Sequence, residues 1–477
     1  MRIIKKKFTL SLKIMLKKRI FLFFVVFTLV NCGLSYGQVI RMRQCDTSAI
    51  RRECRMRVMR LADKGYPFAS IVADSAVMRG RRRVDVYCRT LLSQKYMIDN
   101  VYILGGAGLS PYYIYMTTGI NPGAVFNESR ITQAARRIMT GGAAVPLQDA
   151  EVEFHPDGAA DVYLYLKKRR ANAAGAGVAL NRDNADGKYF LTGNALADLR
   201  NNFGHGERFY FAWNGYDRRS QMLDLQFRWP YIFDTPVVPD FWLNVTRTDT
   251  SCLTLQMKGG LGFAVSPDVE VGAVADVRRL VSTIKDDDND ARTSLYGVAV
   301  SCRKTTKNNT YINIKSSATG GSRRSGDDKG SVAEIASAVE GELPIGTWAR
   351  YEGIWTARQM YFAHKPDIHE CSPIGGVGSL RGFMANELRA TGLLTLCNTF
   401  RVLLTEGFSV QAFYDMAFYK CDAVQASVED TPCGFGAGIG LKTGAMGVDI
   451  GWAIGRERGE MRPLKDAKTL IIMRLEF

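Results

Sequence analysis

Ile471-Ile472-Met473-Arg474-Leu475-Glu476-Phe477 ends the chain and decides its fold class. Successive side chains of an extended strand point to opposite faces. Ile471, Met473, Leu475 and Phe477 therefore share one face, and Ile472, Arg474 and Glu476 share the other. The first face suits lipid and the second a wet lumen. A strand buried in a soluble β-sandwich would not space Arg474 and Glu476 so regularly.

Working back from this strand, residues 171–477 repeat segments of about ten residues, the length that crosses a bilayer at a tilt. Sixteen are expected, starting near Ala173, Lys188, Arg208, Gln221, Val237, Cys252, Val269, Ser294, Thr310, Ser331, Thr347, Ala390, Phe408, Gly434, Val448 and Ala467. Short turns such as Ser266-Pro267-Asp268 and Thr405-Glu406-Gly407 alternate with longer polar loops at 285–292, 317–330 and 421–433. Transmembrane barrels show that asymmetry. Closure also removes strand edges that nothing in a bilayer could satisfy. The expected fold is mainly β, a 16-stranded antiparallel transmembrane β-barrel.

Composition agrees. Of the residues 46% are apolar, with 46 Gly, 20 Tyr and 24 Phe. After residue 37 no run of about 20 apolar residues occurs, which excludes a bundle of membrane helices. The formal charge of +16 misleads, because residues 1–37 carry eight Lys and Arg and no acid. The remaining basic residues are scattered and point to no nucleic-acid partner. Lys17, Lys18 and Arg19, an apolar run at 20–30, and Ser35-Tyr36-Gly37 before Gln38 read as a cleaved signal peptide, residues 1–37. Met15 is an alternative start. Cys32 sits in a poor lipoprotein box, since Asn31 stands where a small residue belongs.

Nine cysteines would follow the cleavage site. With no CxxC pair and no ligand spacing to the four histidines, no metal site is expected. Cys421 and Cys433 are candidates for a loop disulfide, with unpaired buried thiols as the alternative. The run Asp286-Asp287-Asp288-Asn289-Asp290 lacks a coordinating-loop pattern and reads as a solvated tip.

Two small α+β domains precede the barrel, 38–95 and 96–170. In the second, a strand at 96–104, helices at 110–118 and from Asn127 to about Met139, and a hairpin about Pro156-Asp157-Gly158 succeed one another. The order strand, helix, helix, strand, strand resembles a POTRA domain. Residues 40–95, with a helix at 49–64 and strands at 68–76 and 84–89, resemble a shortened copy whose first strand and one helix are missing or degenerate. The resemblance implies periplasmic domains that bind extended polypeptide by strand addition, or that act as spacers.

Between the eleventh and twelfth strands lies Gly375-Gly376-Val377-Gly378-Ser379-Leu380-Arg381-Gly382-Phe383. Leu380-Arg381-Gly382-Phe383 resembles the Arg-Gly-Phe/Tyr motif of the sixth external loop in the BamA and TamA superfamily, the bacterial surface antigen family. That loop folds back into the lumen, and its arginine pairs with the aspartate of a Phe-x-Asp-x-Gly strand. Phe413-Tyr414-Asp415-Met416-Ala417 fits, with Ala417 in place of the glycine. Alternation sets Phe413 and Asp415 inward if Tyr414, Met416 and Phe418 face lipid. On the next strand Gly434, Gly436, Gly438 and Gly440 share one face and leave room for an inserted loop. Phe477, with Leu475 and Met473, resembles the C-terminal signal by which outer-membrane barrels are recognised for assembly.

The resemblance implies an outer-membrane protein of a Gram-negative bacterium that inserts β-barrel proteins or translocates polypeptide. Its implied partners are unfolded clients, outer-membrane lipids, and periplasmic or lipoprotein accessory proteins. It implies no enzyme and no cofactor. The seam between the first strand, with its small Gly175, Gly177 and Ala179, and the sixteenth would open to template client strands. The alternative is a two-partner secretion transporter with a dedicated client. A barrel enzyme is poorly supported, since His155, His205, His364 and His369 join no serine and acid on one lumenal face. A plain porin needs neither POTRA domains nor the loop motif.

Overall fold

The computed structural model describes residues 39–42, 47–78, 84–169, 171–182, 189–215, 220–248, 252–282, 290–305, 310–376, 379–384, 386–444, 446–463 and 467–476. The expected export segment 1–37, residues 286–289 of the acidic run, Val377, Gly378 and Phe477 lie outside these residues. Contacts divide the chain into two units, Met1–Leu61 with Phe68–Ser93, and Ala62–Pro67 with Gln94–Phe477.

In the first unit, strands β1 (Val39–Met42), β2 (Ser70–Met78) and β3 (Val84–Leu91) form an antiparallel sheet in the order β1-β3-β2. Helix α1 (Thr47–Ala62) sets Ile50 and Cys54 against Val86 and Cys88. The sequence suggested that a first strand was missing or degenerate here, but β1 pairs with Val84–Tyr87. Four residues are too few to display the alternation that marks a strand.

The second unit begins with another small domain. It comprises β4 (Met97–Leu104), α2 (Pro111–Thr118), α3 (Glu128–Thr140), β5 (Ala144–Pro146), β6 (Glu151–Phe154) and β7 (Ala159–Lys168). β4 runs parallel to β7, and β5 and β6 pair antiparallel along its other side. Local chemistry sets the helix ends. Gly119 closes α2 at φ +72°, and the Asn127 side chain accepts from the Arg130 backbone N–H at 2.8 Å to cap α3. Ile114, Ile120, Ile138, Val162, Leu164 and Leu166 are fully buried between helices and sheet.

The chain then continues through β8 (Ala173–Arg182), β9 (Tyr189–Arg200), β10 (Arg208–Gly215), β11 (Gln221–Arg228), β12 (Val237–Thr248), β13 (Cys252–Ser266), β14 (Val269–Ser282) and β15 (Ala291–Thr305). β16 (Tyr311–Ser325), β17 (Asp328–Ile345), β18 (Ala349–Phe362), β19 (Ser372–Ile374), β20 (Leu388–Ala390), β21 (Gly392–Leu403) and β22 (Phe408–Asp422) follow. The last are β23 (Ser427–Asp430), β24 (Cys433–Thr443), β25 (Met446–Glu457), β26 (Glu460–Met461) and β27 (Lys468–Glu476). β19 and β20 form a ribbon inside the loop between β18 and β21, while β23 and β26 are short additions to hairpins. The other described strands from β8 onward, sixteen of them, form an antiparallel wall that closes where β27 meets β8.

Outward positions are apolar and exposed, among them Leu261, Phe263, Val298, Trp355, Phe418 and Trp452. Inward positions include the buried charges Asp276, Glu334, Arg323 and Asp415. This is the inside-out pattern of a barrel whose outer face contacts lipid. One expected loop is absent: 317–330 is a paired hairpin, Ser325 facing Asp328 across a two-residue turn. These strands outrun a tilted bilayer crossing. Beyond it both faces are polar, so composition resembles a loop although every rung is paired.

The short-turn end of the barrel packs on the second small domain. Ser110 N–H donates to the Gly204 carbonyl at 2.8 Å, Asn201 Nδ2 to the Ala143 carbonyl at 3.1 Å, and Arg137 pairs with Asp268 at 2.8 Å.

Candidate functional site

The long loop between β18 and β21 folds into the lumen and is held by three arginines. At its start Asp367 caps the turn Ile368–Glu370: its carboxylate accepts from His369 N–H at 2.8 Å, and Glu370 accepts from Asp367 N–H at 2.9 Å. Arg323 of β16 then clamps Glu370 with two short bonds, 2.8 Å from Nε and 2.6 Å from Nη2. Both side chains are 7% exposed.

The second arginine is Arg381, at the tip. Its Nε donates to Asp415 Oδ2 at 2.7 Å and its Nη2 to Oδ1 at 2.6 Å, while its backbone N–H reaches Oδ2 at 3.0 Å. Nη1 donates to Thr399 Oγ1 at 3.0 Å and Nη2 to the Asn398 carbonyl at 3.3 Å. The guanidinium also lies 3.9 Å above the centre of the Phe413 ring. Asp415 is fully buried and Arg381 is 15% exposed. Burying two charges is costly unless the pair is close and its remaining hydrogen-bonding groups are satisfied. Bidentate geometry, the hydroxyl, the carbonyl and the ring meet that condition. Leu380 and Phe383, on either side, are buried in one apolar cluster with Ile374, Leu388, Ala417 and Tyr419.

Glycine permits this approach. Gly382 sits at φ +94°, where a Cβ would meet the Ile454 backbone at 2.7 Å. A Cβ on Gly434 would collide with the Arg381 carbonyl, and one on Gly436 with the Phe413 ring. Gly438 and Gly440 act elsewhere. They face the neighbouring wall backbone and the Arg401–Asp449 pair, so only the first two of the four glycines make room for the loop or its aromatic platform.

The third arginine was not anticipated. Arg462, in the loop between β25 and β27, bonds Glu387 and Glu457 at 2.7 Å each and lies 4.2 Å over the Phe383 ring. Gly455 was missed as well; a Cβ there would lie 2.9 Å from both the Gly382 carbonyl and the Phe383 ring. A signal existed, because Gly447, Gly451 and Gly455 recur every fourth residue on one strand face. A further lumenal cluster also escaped notice. Arg278 joins Asp276 at 2.7 Å and also bonds Glu334, Lys258 approaches Asp276 at 3.4 Å, and Arg358 approaches Glu334 at 3.6 Å. Arg358 reaches the loop through Ser372 Oγ at 3.2 Å.

The seam differs from every other wall contact. β8 pairs with β9 at ten positions and β25 with β27 at eight, but among the described residues β27 meets β8 only at Leu475 with Ala174 and Glu476 with Ala173. Met473 stands opposite Val448, and Leu475 opposite Met446. Gly175, Gly177 and Ala179 pair with β9 and not with β27.

The expected Cys421–Cys433 bridge is ruled out by register. Cys433 lies opposite Met416, five residues from Cys421 along β22. At about 3.4 Å per residue that is roughly 17 Å, and a disulfide needs Cα atoms within about 7 Å. Among the described residues no group of three His, Cys, Asp or Glu is arranged to hold a metal. His155 contacts Asp161 at 3.3 Å and His364 contacts Asp328 at 2.8 Å, each as a two-residue pair.

No protein-family model and no curated protein matches the sequence. Solved structures do. CdiB from Acinetobacter baumannii aligns over 93% of this chain and 91% of its own, at 11% identity and a TM-score of 0.58. CdiB from Escherichia coli aligns over 91% and 85%, at 12% identity and a TM-score of 0.60. BamA from Haemophilus ducreyi lacking POTRA domains 1–3 aligns over 94% of both chains at 12% identity, with a TM-score of 0.41. At such identities the likeness to CdiB is one of fold.

Proposed function

We propose that this chain is a polypeptide translocator of the outer membrane of a Gram-negative bacterium, with its small domains acting as POTRA domains in the periplasm. Its finer role, in this reading, is to insert β-barrel proteins through the seam between β8 and β27. The single observation that carries it is the two-position closure of that seam. A wall held elsewhere by eight or more register pairs per neighbour resists opening, whereas among the described residues two pairs leave most of β8 without a partner on that side. An unsatisfied strand in lipid seeks a partner, and an entering client strand supplies one. The small domain would deliver the client, since β6 is an outer strand of its sheet that can accept an added strand, as is β4 beyond Ile98, residues 123–126 covering its edge up to that point. The three arginine clamps hold the loop as a fixed inner wall while the seam moves. No bond chemistry and no cofactor is required, because client barrel closure supplies the free energy.

The CdiB fold likeness favours a second reading, secretion of one dedicated client through the lumen. Quantitative proteomics of outer-membrane and secreted fractions after depletion separates the two. Insertion predicts loss of several unrelated barrels. Loss of one exported protein with barrels intact would replace it with dedicated secretion, and no change in either fraction would refute both.

A further inference from the structure

The lumenal face of β22 carries Phe413, Asp415, Ala417, Tyr419 and Cys421, all buried. Asp415 takes the tip of the inserted loop, and Cys421 meets its base. There Cys371 follows the Ile368–Glu370 turn, its backbone N–H bonded to the Ile368 carbonyl at 3.2 Å. Cys371 and Cys421 are 2% and 3% exposed and pack in one apolar cluster, where the Cys371 thiol, which donates to the Asp367 carbonyl at 3.6 Å, lies beside that of Cys421. The other described barrel cysteines for which a contact is seen face different groups: Cys252 the Thr254 hydroxyl, Cys397 the Ser379 carbonyl, and Cys433 the Tyr414 ring hydroxyl.

We propose that Cys371 and Cys421 form a disulfide in the mature protein, a covalent staple that fixes the base of the loop to β22. It goes beyond the translocation reading and does not depend on which client passes. An exported chain meets an oxidising compartment, and the co-reactant is a protein disulfide of that compartment. The thiolate of one cysteine attacks that disulfide and releases one thiolate from it. The second cysteine's thiolate then attacks the mixed disulfide and releases the other. Two thiol protons and two electrons leave the chain, and the incoming disulfide becomes two thiols. Burial, then the adjacent Cys421, holds the docked Cys371 thiol well above the ordinary thiol range. The exchange therefore belongs to folding, before the loop is packed down. The pair is almost wholly withdrawn from solvent, at 2% and 3% exposure.

The test is a peptide map of the full-length protein from native envelopes, alkylated in acid-quenched, unfolded form before any reduction. The expected result is one linked pair of peptides containing Cys371 and Cys421, separated by reductant, with both residues alkylated only after reduction. Recovery of both residues alkylated before reduction, or of either bridged to another cysteine, would overturn the proposal. Cys371→Ser provides a second readout. It should leave Cys421 fully alkylated without reduction and speed protease cleavage of the loop at least tenfold, whereas unchanged cleavage would deny the staple any part in holding the loop. If that variant does not assemble, the wild-type map still decides.

Discussion

Replacing Asp415 with alanine strips Arg381 of three of its five polar contacts, the two guanidinium bonds and the backbone N–H bond. Thr399, the Asn398 carbonyl and the Phe413 ring remain. Removing one partner of a buried ion pair costs about 3–5 kcal/mol. Because Arg381 keeps these contacts and is 15% exposed, the low end applies, about 3 kcal/mol. The cost falls on loop docking rather than on the wall, whose register bonds do not involve the side chain. Loop opening should therefore become roughly a hundredfold more frequent. Hydrogen exchange at residues 380–383, with the β22 amides as internal reference, reads that ratio directly. Arg381→Ala in the Asp415→Ala background should add little, since the stranded cation is gone, giving a coupling of about 2 kcal/mol within the range of paired sites. An exchange ratio that changes less than tenfold, or two substitutions whose effects simply add, would refute the brace.

Gly434→Ala should loosen the same residues, because its methyl group collides with the Arg381 carbonyl, while Gly447→Ala, which faces open space, should not. Burial alone would raise the Glu387 carboxyl, but bonds from Arg462 and the Met384 N–H, with the Arg462 charge, bring it below its usual value. The stabilisation this carboxylate gives is thus present above the ordinary carboxylate range and is lost as pH falls through the depressed value. Exchange around Phe383 should rise on that acid limb, and Arg462→Ala should weaken the dependence and move it to higher pH, since the Met384 N–H bond remains. Asn127→Ala removes the cap of α3 and should cost the second small domain about 1 kcal/mol. Faster exchange at residues 128–131, with barrel amides unaffected, is the expected outcome in the full-length chain.

The barrel was legible because lipid and lumen impose opposite demands on alternate residues. Arg208, Gln221, Val237, Cys252, Val269 and Phe408 begin strands at the residues the alternation indicated. Legibility failed where that demand lapses. Residues 317–330 lie on strands that outrun the bilayer, so nothing requires one face to be apolar. β1 and β5 are too short to show a period. At the site, alternation set Asp415 inward and the glycine loop suggested a close approach, whereas the meeting of Arg462 with Glu387 joins residues 75 apart from two loops. No periodicity encodes such a contact. The cysteine pairing failed for a related reason. Cys421 and Cys433 are neighbours in sequence, but strand register carries them apart and a distant loop brings Cys371 instead.

If polypeptide enters the membrane through the seam, as proposed, a covalent bond across it should stop insertion. Ala174→Cys with Leu475→Cys places cysteines at a register pair across it, and oxidation should lock β8 to β27. The decisive measurement is barrel insertion by the locked protein, before and after reductant. Insertion that stops when the seam is oxidised and returns on reduction is the predicted result. Insertion or secretion that proceeds unchanged through a fully locked barrel would contradict the account.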